Sequence, residues 1–407
     1  MTGTTLLSPP SSPETGTKAK PQPSAKPPAP IVLLRTQQWS SWPDFAGSTW
    51  VPMQYLLGFL RLGVDAFWVD QLNHVDPLKD AHSLDYLMHR FDSTAREFGF
   101  QDRYCVVYES GRQYFGLSRE RVTELASKAD LLLSISGKGL PKGLPFLEIP
   151  RRAYVDVDPG FTQLWALHGD MGLQQFNYFF TVGQCVGLPC FRIPTQGIEW
   201  RRILPPVVLD LWPPRIDENC SRFSTVADWW GSQHIRYEGE LYGGKRDEFL
   251  RFAEVPRRAR QKVEIALAIY PEDHKELGLL NRNLWKIKNP YMHAGDPHSY
   301  REFIQFSRGE FSVAKGGYVK SRSGWISDRT ACYLASGKPV LVQSTELEEC
   351  LPTGTGLLTF RTVDEALAGF EKIDSDYRSH CDAALDLARK HFDSDTVLRS
   401  ILEQVGL

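Results

Sequence analysis

Short apolar runs alternate with longer stretches of helical spacing along most of the chain. In the first half these runs are rich in β-branched and aromatic residues, which favours strands buried on both faces. They lie at residues 31–34, 66–69, 104–108 and 131–135. The clearest helix is predicted at residues 50–62, with Gly47 and Ser48 at its start and Gly63 at its end. Such alternation predicts a parallel sheet covered by helices.

The same alternation resumes after a proline-rich stretch at residues 204–214, which we interpret as a hinge between two halves. Strands of the second half are predicted at residues 223–227, 263–269, 311–314 and 339–343. Residues 377–405 have helical spacing that is broken near residues 391–395, which predicts two packed helices. The predicted fold class is α/β, with two similar halves around a cleft.

The first thirty residues differ from the rest of the chain. They contain eight of its 27 prolines, many Ser, Thr and Lys residues, and no aromatic residue, a composition typical of a disordered tail. We therefore divide the chain into four predicted segments. These are a disordered tail at 1–30, an N-terminal α/β domain at 31–205, a C-terminal α/β domain at 206–376, and helices at 377–407 that pack at the domain junction.

Composition indicates a globular protein and excludes bulk binding of polyanions. The 407 residues are 42% hydrophobic and 24% charged, which is enough apolar material for a large core. Lys and Arg number 47 against 49 Asp and Glu, a formal net charge of −2, so neither nucleic-acid nor membrane binding is indicated. Any site for anions must therefore be local.

Cysteine usage and hydropathy point to a cytoplasmic protein. The seven cysteines are scattered without Cys-x-x-Cys spacing, which indicates neither a disulfide framework nor a zinc site. No apolar run is long enough to span a membrane, and no signal-peptide pattern opens the sequence. We expect a cytoplasmic location.

Residues 311–340 carry the strongest indication of chemistry. The pattern predicts a strand, a loop rich in glycine and hydroxyl groups, a helix capped by Ser327 or Ser323, and a second strand. The loop contains the glycines Gly316, Gly317 and Gly324 and the basic residues Lys315, Lys320 and Arg322. Free N–H groups and the positive dipole of a helix N-terminus bind phosphate oxygens, and Lys and Arg strengthen such a site. An exposed basic loop beside an ordinary helix cap is the alternative interpretation.

From this helix onward the sequence resembles the donor domain of GT-B glycosyltransferases. In that family, the helix that receives the diphosphate of a nucleotide sugar is followed by a Gly-x-Pro turn and a strand, as in Gly-Lys-Pro-Val at residues 337–340. Residues 324–339 resemble family one, and the Gly-Lys-Pro-Val spelling is similar to family four. Many relatives hold the ribose with a glutamate where this chain has Cys332; Asp328, one turn earlier, is the nearest carboxylate that could replace it.

The resemblance implies two Rossmann-like domains that face each other across a cleft, with the acceptor bound by residues 31–205 and a nucleotide sugar by residues 206–376. It implies transfer of the sugar to a hydroxyl or similar acceptor. The helix N-terminus and the basic residues of 315–330 would stabilise the diphosphate leaving group, so we expect neither a metal nor another cofactor. The predicted donor-binding residues are Lys245, Lys315, Gly317, Lys320, Arg322, Ser323, Gly324, Trp325, Ser327, Asp328 and Arg329.

A second basic segment, Tyr-Gly-Gly-Lys-Arg, lies at residues 242–246 in the second half. In GT-B relatives, a basic residue from this part of the donor domain helps to neutralise the leaving diphosphate. Lys245 fits that role better than Arg246 because it directly follows the two glycines. A solvated turn without function is equally consistent with this short pattern.

Acidic residues on loops after the N-terminal strands are candidates for the base that accepts a proton from the acceptor. The candidates are Asp158, Asp44 and Glu109. Asp158 is favoured because Asp-Val-Asp at residues 156–158 follows a predicted strand, at the edge of an open α/β sheet where ligands bind. Its alternative role is to cap the next helix, and metal binding ranks below acceptor binding. An enzyme that retains anomeric configuration needs no base, and these acids would then orient substrates.

Two other classes of protein fit the sequence less well than a glycosyltransferase. An NAD-dependent oxidoreductase is disfavoured because residues 37–48 lack the Gly-x-Gly-x-x-Gly turn that such enzymes place after the first strand. A non-catalytic, two-lobed sugar-binding protein fits a cleft but is ordinarily exported with a signal peptide. The expected partners are a nucleotide sugar and an acceptor that the sequence does not identify.

Overall fold

The computed structural model describes residues 1–3, 28–42, 44–76, 82–231 and 234–407. Most of the predicted disordered tail, residues 4–27, lies outside these residues, so that prediction stays untested. None of the described helices combines the length and the apolar character that a membrane span requires.

The described residues form eight strands of the N-terminal sheet. They are β1 (Ile31–Gln37), β2 (Asp65–Leu72), β3 (Tyr104–Tyr108), β4 (Gln113–Gly116), β5 (Leu131–Ile135), β6 (Arg151–Asp156), β7 (Tyr178–Thr181) and β8 (Arg201–Arg202). Their order is β4-β3-β2-β1-β5-β6-β7-β8, and every neighbouring pair is parallel except β3 and β4. All four apolar runs predicted as strands in this half are strands, because each is buried between helices.

Four α-helices lie in the part of this half that the structure describes. They are α1 (Ala46–Arg61), α2 (Leu84–Glu97), α3 (Arg119–Lys128) and α4 (Phe161–His168). Helix α1 begins four residues before the predicted start and contains Pro52. Its first N–H, from Ala46, donates to the carbonyl of Ala294 at 3.3 Å, so a contact distant in sequence sets the start of the helix. Gly63 follows its end, as predicted.

The C-terminal sheet contains six parallel strands. They are β9 (Arg222–Asp228), β12 (Lys262–Ala268), β13 (Lys286–Lys288), β14 (Gly309–Ser312), β15 (Val340–Gln343) and β16 (Leu357–Phe360), and a hairpin precedes β12 with β10 (Ile235–Tyr237) and β11 (Glu240–Tyr242). The six strands follow the order β13-β12-β9-β14-β15-β16. The four strands predicted in this half are thus confirmed.

Ten further α-helices follow among the described residues of the second half. They are α5 (Lys245–Arg251), α6 (Val255–Arg258), α7 (His274–Arg282), α8 (Pro290–His293), α9 (Pro297–Gln305), α10 (Gly316–Ser321), α11 (Asp328–Ala335), α12 (Val363–Ser375), α13 (Tyr377–Leu387) and α14 (Ser394–Val405). A π-helical turn at Ala388–Phe392 separates α13 from α14, which confirms the predicted pair of helices. Short 3-10 turns lie at Trp39–Ser41, Glu109–Gly111, Pro145–Glu148, Leu173–Gln175, Leu209–Leu211 and Leu347–Glu349.

Both sheets are doubly wound. In each, the chain starts at a central strand, builds one side of the sheet, and then returns to build the other, so the order reverses between β1 and β5 and between β9 and β14. Ligands of open α/β sheets bind at such reversals, beside the carboxyl ends of the strands. The confirmed α/β fold therefore offers two ligand-binding edges.

The chain passes between the two halves twice, and the two passages lie side by side. The N–H of Val207 donates to the carbonyl of Phe392 at 2.7 Å, and the N–H of Ser394 donates to the carbonyl of Val207 at 2.9 Å. After the second passage, α14 packs against α1, where Leu398 and Ser394 lie over Gly58. The exact domain boundaries of the sequence analysis stay predictions.

Candidate active site

A partly open space of about 340 Å³, here called the inner cavity, lies between the two halves. Residues from the carboxyl ends of β6, β9 and β14 line it, together with α1 and the start of α11. A wider space of about 840 Å³, the outer cavity, adjoins it and shares Asp44, Phe45 and Asp228. The ionisable residues around the inner cavity are Asp44, Asp158, Asp228, Lys245, Lys315, Asp328 and Arg329, with Tyr55, Tyr300, Tyr318 and Cys332.

The N-terminus of α11 opens on the inner cavity. Ser327 caps this helix, as predicted, because its side-chain oxygen accepts a hydrogen bond from the N–H of Arg329 at 3.2 Å. Ser327, Asp328 and Arg329 all line the cavity. The helix dipole and the first N–H groups of α11 thus add positive potential to its wall.

Arg329 forms a buried ion pair that fixes α11 on the sheet. Its Nε lies 2.8 Å from Oε1 of Glu310, whose side chain is fully buried. The same guanidinium donates to the carbonyl of Val226 at 2.8 Å and to the hydroxyl of Ser312 at 2.6 Å. Its positive charge is therefore placed at the cavity by three groups of β9 and β14.

Lys245 is the first residue of α5 and lines the inner cavity. Among the described residues, its side chain has neither a hydrogen bond nor an ion pair. Burial lowers the pKa of Lys245 to about 7, and the positive charges of Arg329 and Lys315 act in the same direction. A buried ammonium group beside other positive charges is stabilised most by a ligand that carries negative charge.

Lys315 and Tyr318 meet Asp158 across the cleft. Nζ of Lys315 lies 2.7 Å from Oδ1 of Asp158, and the hydroxyl of Tyr318 donates to the same oxygen. Burial alone would raise the pKa of Asp158, but the charge and hydrogen bond of Lys315 and the hydrogen bond of Tyr318 outweigh it and lower that pKa. The side chain of Asp158 does not cap α4, whose N-cap position is Gly160.

Asp156 is fully buried and has a structural role. Its two oxygens accept hydrogen bonds from the N–H of Asp158 and from the side chains of Thr162, Gln163 and Thr181, at 2.6 to 3.1 Å. Burial raises the pKa of Asp156 to about 6 despite these donors. The Asp-Val-Asp stretch therefore presents Asp158, and not Asp156, to the cleft.

Asp44 lies where the inner and outer cavities join. Its Oδ2 is 2.8 Å from Nε2 of His82, and its Oδ1 accepts a hydrogen bond from the hydroxyl of Tyr86 at 3.2 Å. Asp44 is one of the three predicted candidates for the base, and no histidine partner was predicted for it. The histidine comes from a segment 38 residues further along the chain, which no local pattern reveals.

Several predicted site residues lie outside both cavities. Lys320 is 3.7 Å from Glu240, and Arg322 is 3.6 Å from Glu346. Glu109 is bound by His74 and Arg112. Neither cavity is lined by Gly317, Lys320, Arg322, Ser323, Gly324 or Glu109, whereas the inner cavity is lined by Lys245, Lys315, Trp325, Ser327, Asp328, Arg329, Asp44 and Asp158.

The segment predicted as a phosphate-binding loop begins with the short helix α10. The N–H groups of Gly316 and Gly317 donate to the carbonyls of Gly244 and Gly243 at 3.1 and 3.0 Å, so they are not free for a ligand. A Cβ at Gly317 would lie 2.3 Å from the ring of Phe161. The glycine is therefore required for close packing across the cleft, a cause that the sequence pattern could not distinguish from close approach to a ligand.

Tyrosines complete the wall of the inner cavity and were missed in the sequence. Tyr55 lies on α1, Tyr300 on α9 and Tyr318 on α10, and burial raises the pKa of each hydroxyl. The ring of Tyr318 stacks on Trp325 with centroids 4.3 Å apart. In the sequence, only the position of Tyr318, three residues after Lys315, could have indicated that a tyrosine lines the cavity. Tyr55 lies in the pattern of an amphipathic helix, where it is indistinguishable from an ordinary core residue.

Comparisons with known proteins establish the fold. No protein-family model matches the sequence, and no curated protein sequence matches it. An alpha-glucosyltransferase solved in complex with UDP and a 13-mer DNA is similar in structure, with a TM-score of 0.60 at 12% identity over 93% of this chain and all of that one. The HepE protein of Anabaena, solved with UDP and glucose, has a TM-score of 0.53 at 11% identity over 92% and 99% of the two chains.

A third similar structure is sucrose-phosphate synthase from Thermosynechococcus elongatus. Its TM-score is 0.54 at 10% identity, over 93% of this chain and 99% of that one. Each of these likenesses extends through both halves of the molecule. The chain has the two-domain GT-B fold that its sequence predicted.

Proposed function

We propose that the protein is a glycosyltransferase that moves a sugar from a nucleotide-sugar donor to a hydroxyl or similar acceptor. One observation carries the proposal: Lys245, which has no partner among the described residues, lies in the inner cavity with Arg329, Lys315 and the N-terminus of α11. These groups together provide the positive charge and N–H donors that the oxygens of a diphosphate require. The structures reported above with bound UDP support a uridine donor in particular.

The chemistry that follows is stabilisation of the leaving group. When the bond between the anomeric carbon and the diphosphate breaks, negative charge develops on the diphosphate oxygens. Lys245, Lys315 and Arg329 would neutralise that charge, and preorganised donors of this kind supply a large part of the rate in such reactions. Because these cations belong to the chain, we propose that transfer needs no metal and persists in EDTA.

An NAD-dependent oxidoreductase fits these features less well. The segment between β1 and α1 contains a 3-10 turn at Trp39–Ser41 and not a glycine-rich turn for a dinucleotide. A non-catalytic protein that binds an uncharged sugar does not need three cations and a helix N-terminus at one cavity. Both alternatives are therefore disfavoured.

UDP binding to the purified, EDTA-treated protein tests the proposal, and it should be coupled to proton uptake. A bound diphosphate raises the pKa of Lys245 above its value of about 7 in the free protein. At any pH between these two pKa values, UDP binding is therefore accompanied by uptake of a proton. In this range the affinity for UDP falls as pH rises, by up to about tenfold per pH unit. Calorimetry at pH 8 in buffers of different ionisation heat measures this uptake.

Thermal-shift measurements with UDP, GDP, dTDP, ADP and NAD accompany the calorimetry, because a ligand that binds only the folded state raises the melting temperature. A response to a nucleoside diphosphate without metal supports the proposal. Binding of UDP at pH 8 with no proton uptake would contradict the role of Lys245, and a response to NAD alone would contradict the transferase.

Asp158 is the proposed group that handles the acceptor hydroxyl, with Asp44 as the second candidate. Replacing Asp158 by asparagine is expected to lower kcat by roughly 10²–10⁴ if the carboxylate accepts the proton. UDP affinity should not fall, since Lys245 and Arg329 do not contact this side chain and loss of its charge releases Lys315 from its ion pair. Turnover and UDP binding of Asp158→Asn, measured beside Asp44→Asn, decide between them: full activity in Asp158→Asn excludes it as the base.

A further inference from the structure

One segment of the N-terminal half lies between two segments of the C-terminal half. The N–H groups of Gln184 and Cys185 donate to the carbonyls of Gly324 and Ser323 at 3.2 and 3.0 Å, and Gly183 pairs with Trp325 in an antiparallel bridge. On its other side, this segment faces the residues that follow β15. We call residues 183–185 the clasp.

Two thiols meet at the clasp from opposite halves of the molecule. Sγ of Cys185 lies 3.9 Å from Sγ of Cys350. Each thiol also contacts a backbone carbonyl of the other half: Cys185 that of Glu346 at 3.3 Å, and Cys350 that of Gln184 at 3.2 Å. The two cysteines are 165 residues apart in sequence, so only the closed fold brings them together.

The position of Gly324 is explained by the same contact. Gly324 has a φ of +65°, and a Cβ on it would lie 2.6 Å from the N atom and 2.8 Å from Sγ of Cys185. A side chain there would displace the thiol. The backbone of the C-terminal half thus leaves room for Cys185 at this place, and neither Cys185 nor Gly324 lines the inner cavity.

We propose that Cys185 and Cys350 are a modification site at which oxidation forms a disulfide across the cleft. Only a modest movement of the two side chains separates a 3.9 Å contact from a bond of about 2.05 Å. The bond would join the N-terminal and C-terminal halves covalently. It would form in the closed arrangement and would prevent the halves from separating.

The oxidant we assign is a small disulfide such as oxidised glutathione. The thiolate of Cys350, which is partly exposed, attacks one sulfur of glutathione disulfide and releases one glutathione thiolate. Cys185 then attacks the sulfur of Cys350 and releases the second glutathione. Two protein thiols and one glutathione disulfide become one protein disulfide and two glutathione thiols, with the two thiol protons passing to the released thiolates.

Access and burial set the order of these steps. Cys185 is fully buried, and burial, followed by the neighbouring Cys350 and Cys190, raises its pKa. It is therefore the slower nucleophile and the second to react. Cys190 is partly exposed and close to Cys185, so a bond between Cys185 and Cys190 within the N-terminal half is the competing product.

Disulfide mapping of the full-length protein after incubation with glutathione disulfide tests the proposal. The expected product is a Cys185–Cys350 crosslink that dithiothreitol removes, that forms in Cys190→Ser and that is absent from Cys350→Ser. Cys350→Ser keeps the buried Cys185 in place, so the test does not depend on a substitution in the core. A Cys185–Cys190 bond, or a glutathione adduct on Cys350 without the crosslink, overturns the proposal.

The effect of the disulfide on activity rests on the proposed function, and it is measured separately from the crosslink, as turnover. If substrates enter and products leave by opening of the cleft, the oxidised protein is expected to lose at least tenfold in turnover, and dithiothreitol should restore it. Cys350→Ser should keep its activity in the oxidant. A crosslink that forms without any transferase activity in the reduced protein would leave the modification site standing and contradict the proposed function alone.

Discussion

Replacing Lys245 by methionine is expected to lower kcat/KM for the nucleotide sugar by roughly 10²–10³, the range found when one preorganised donor to a developing charge is removed. Among the described residues, Lys245 is the cavity cation that forms no ion pair and no hydrogen bond. Its charge is therefore fully available to the diphosphate, and its loss should have the largest effect. UDP affinity should fall in parallel, and the proton uptake at pH 8 should disappear. Steady-state kinetics and calorimetry measure the two effects.

The stability of this variant provides an internal control. Because the pKa of Lys245 is lowered from 10.5 to about 7, the unfolded chain binds this proton more tightly than the folded protein, and at pH 7 the charge opposes folding. Lys245→Met should therefore be as stable as the parent protein or slightly more stable. Arg246→Met is the matched variant, since Arg246 is paired with Glu276 and Asp247 and should leave donor binding unchanged. Equal loss in both variants would show that α5 itself, and not the ammonium group, was disturbed.

Replacing Arg329 by methionine is expected to cost about 3–5 kcal/mol in the free energy of unfolding, because it leaves the carboxylate of Glu310 buried without its partner. The carbonyl of Val226 and the hydroxyl of Ser312 would lose a donor as well. Urea denaturation of the ligand-free protein measures this loss independently of any role in donor binding.

A double variant separates the ion pair from the packing around it. Since Glu310→Leu removes the stranded charge, the combination with Arg329→Met should recover at least half of the lost stability. Recovery would be incomplete because Ser312 and Val226 still lack their donor. A single Arg329→Met variant that loses less than about 1 kcal/mol would contradict the structural role of this pair.

The fold followed from local patterns that the sequence displays openly. Buried strands such as β5 and β15 lie in short apolar runs, and α11 begins directly after Ser327 because the serine oxygen accepts a hydrogen bond from an N–H of the first turn. These causes act over a few residues, so they can be identified without tertiary information. Lys245, which follows two glycines, does line the inner cavity, but its role in donor binding stays a prediction.

The contacts across the cleft could not be predicted in this way. Asp158 meets Lys315 from a distance of 157 residues in sequence, and Gly317 is required by the ring of Phe161. Each looked like a local feature, a helix cap in one case and a phosphate loop in the other. A charged residue or a glycine in the sequence can indicate that a position is constrained. The residue that it contacts depends on how the two sheets face each other, which the local sequence does not show.

The packing of α14 against α1 means that the N-terminal half is not built from one continuous piece of chain. Leu398 and Ser394 cover Gly58, and the side chains of Arg151 and Arg201 donate to the carbonyls of Val405 and Gln404. During synthesis this half can complete its surface only after the whole C-terminal sheet has left the ribosome. A fragment cut at the hinge would expose the bare face of α1, whereas one that carries α14 fused to its end would have its full set of helices.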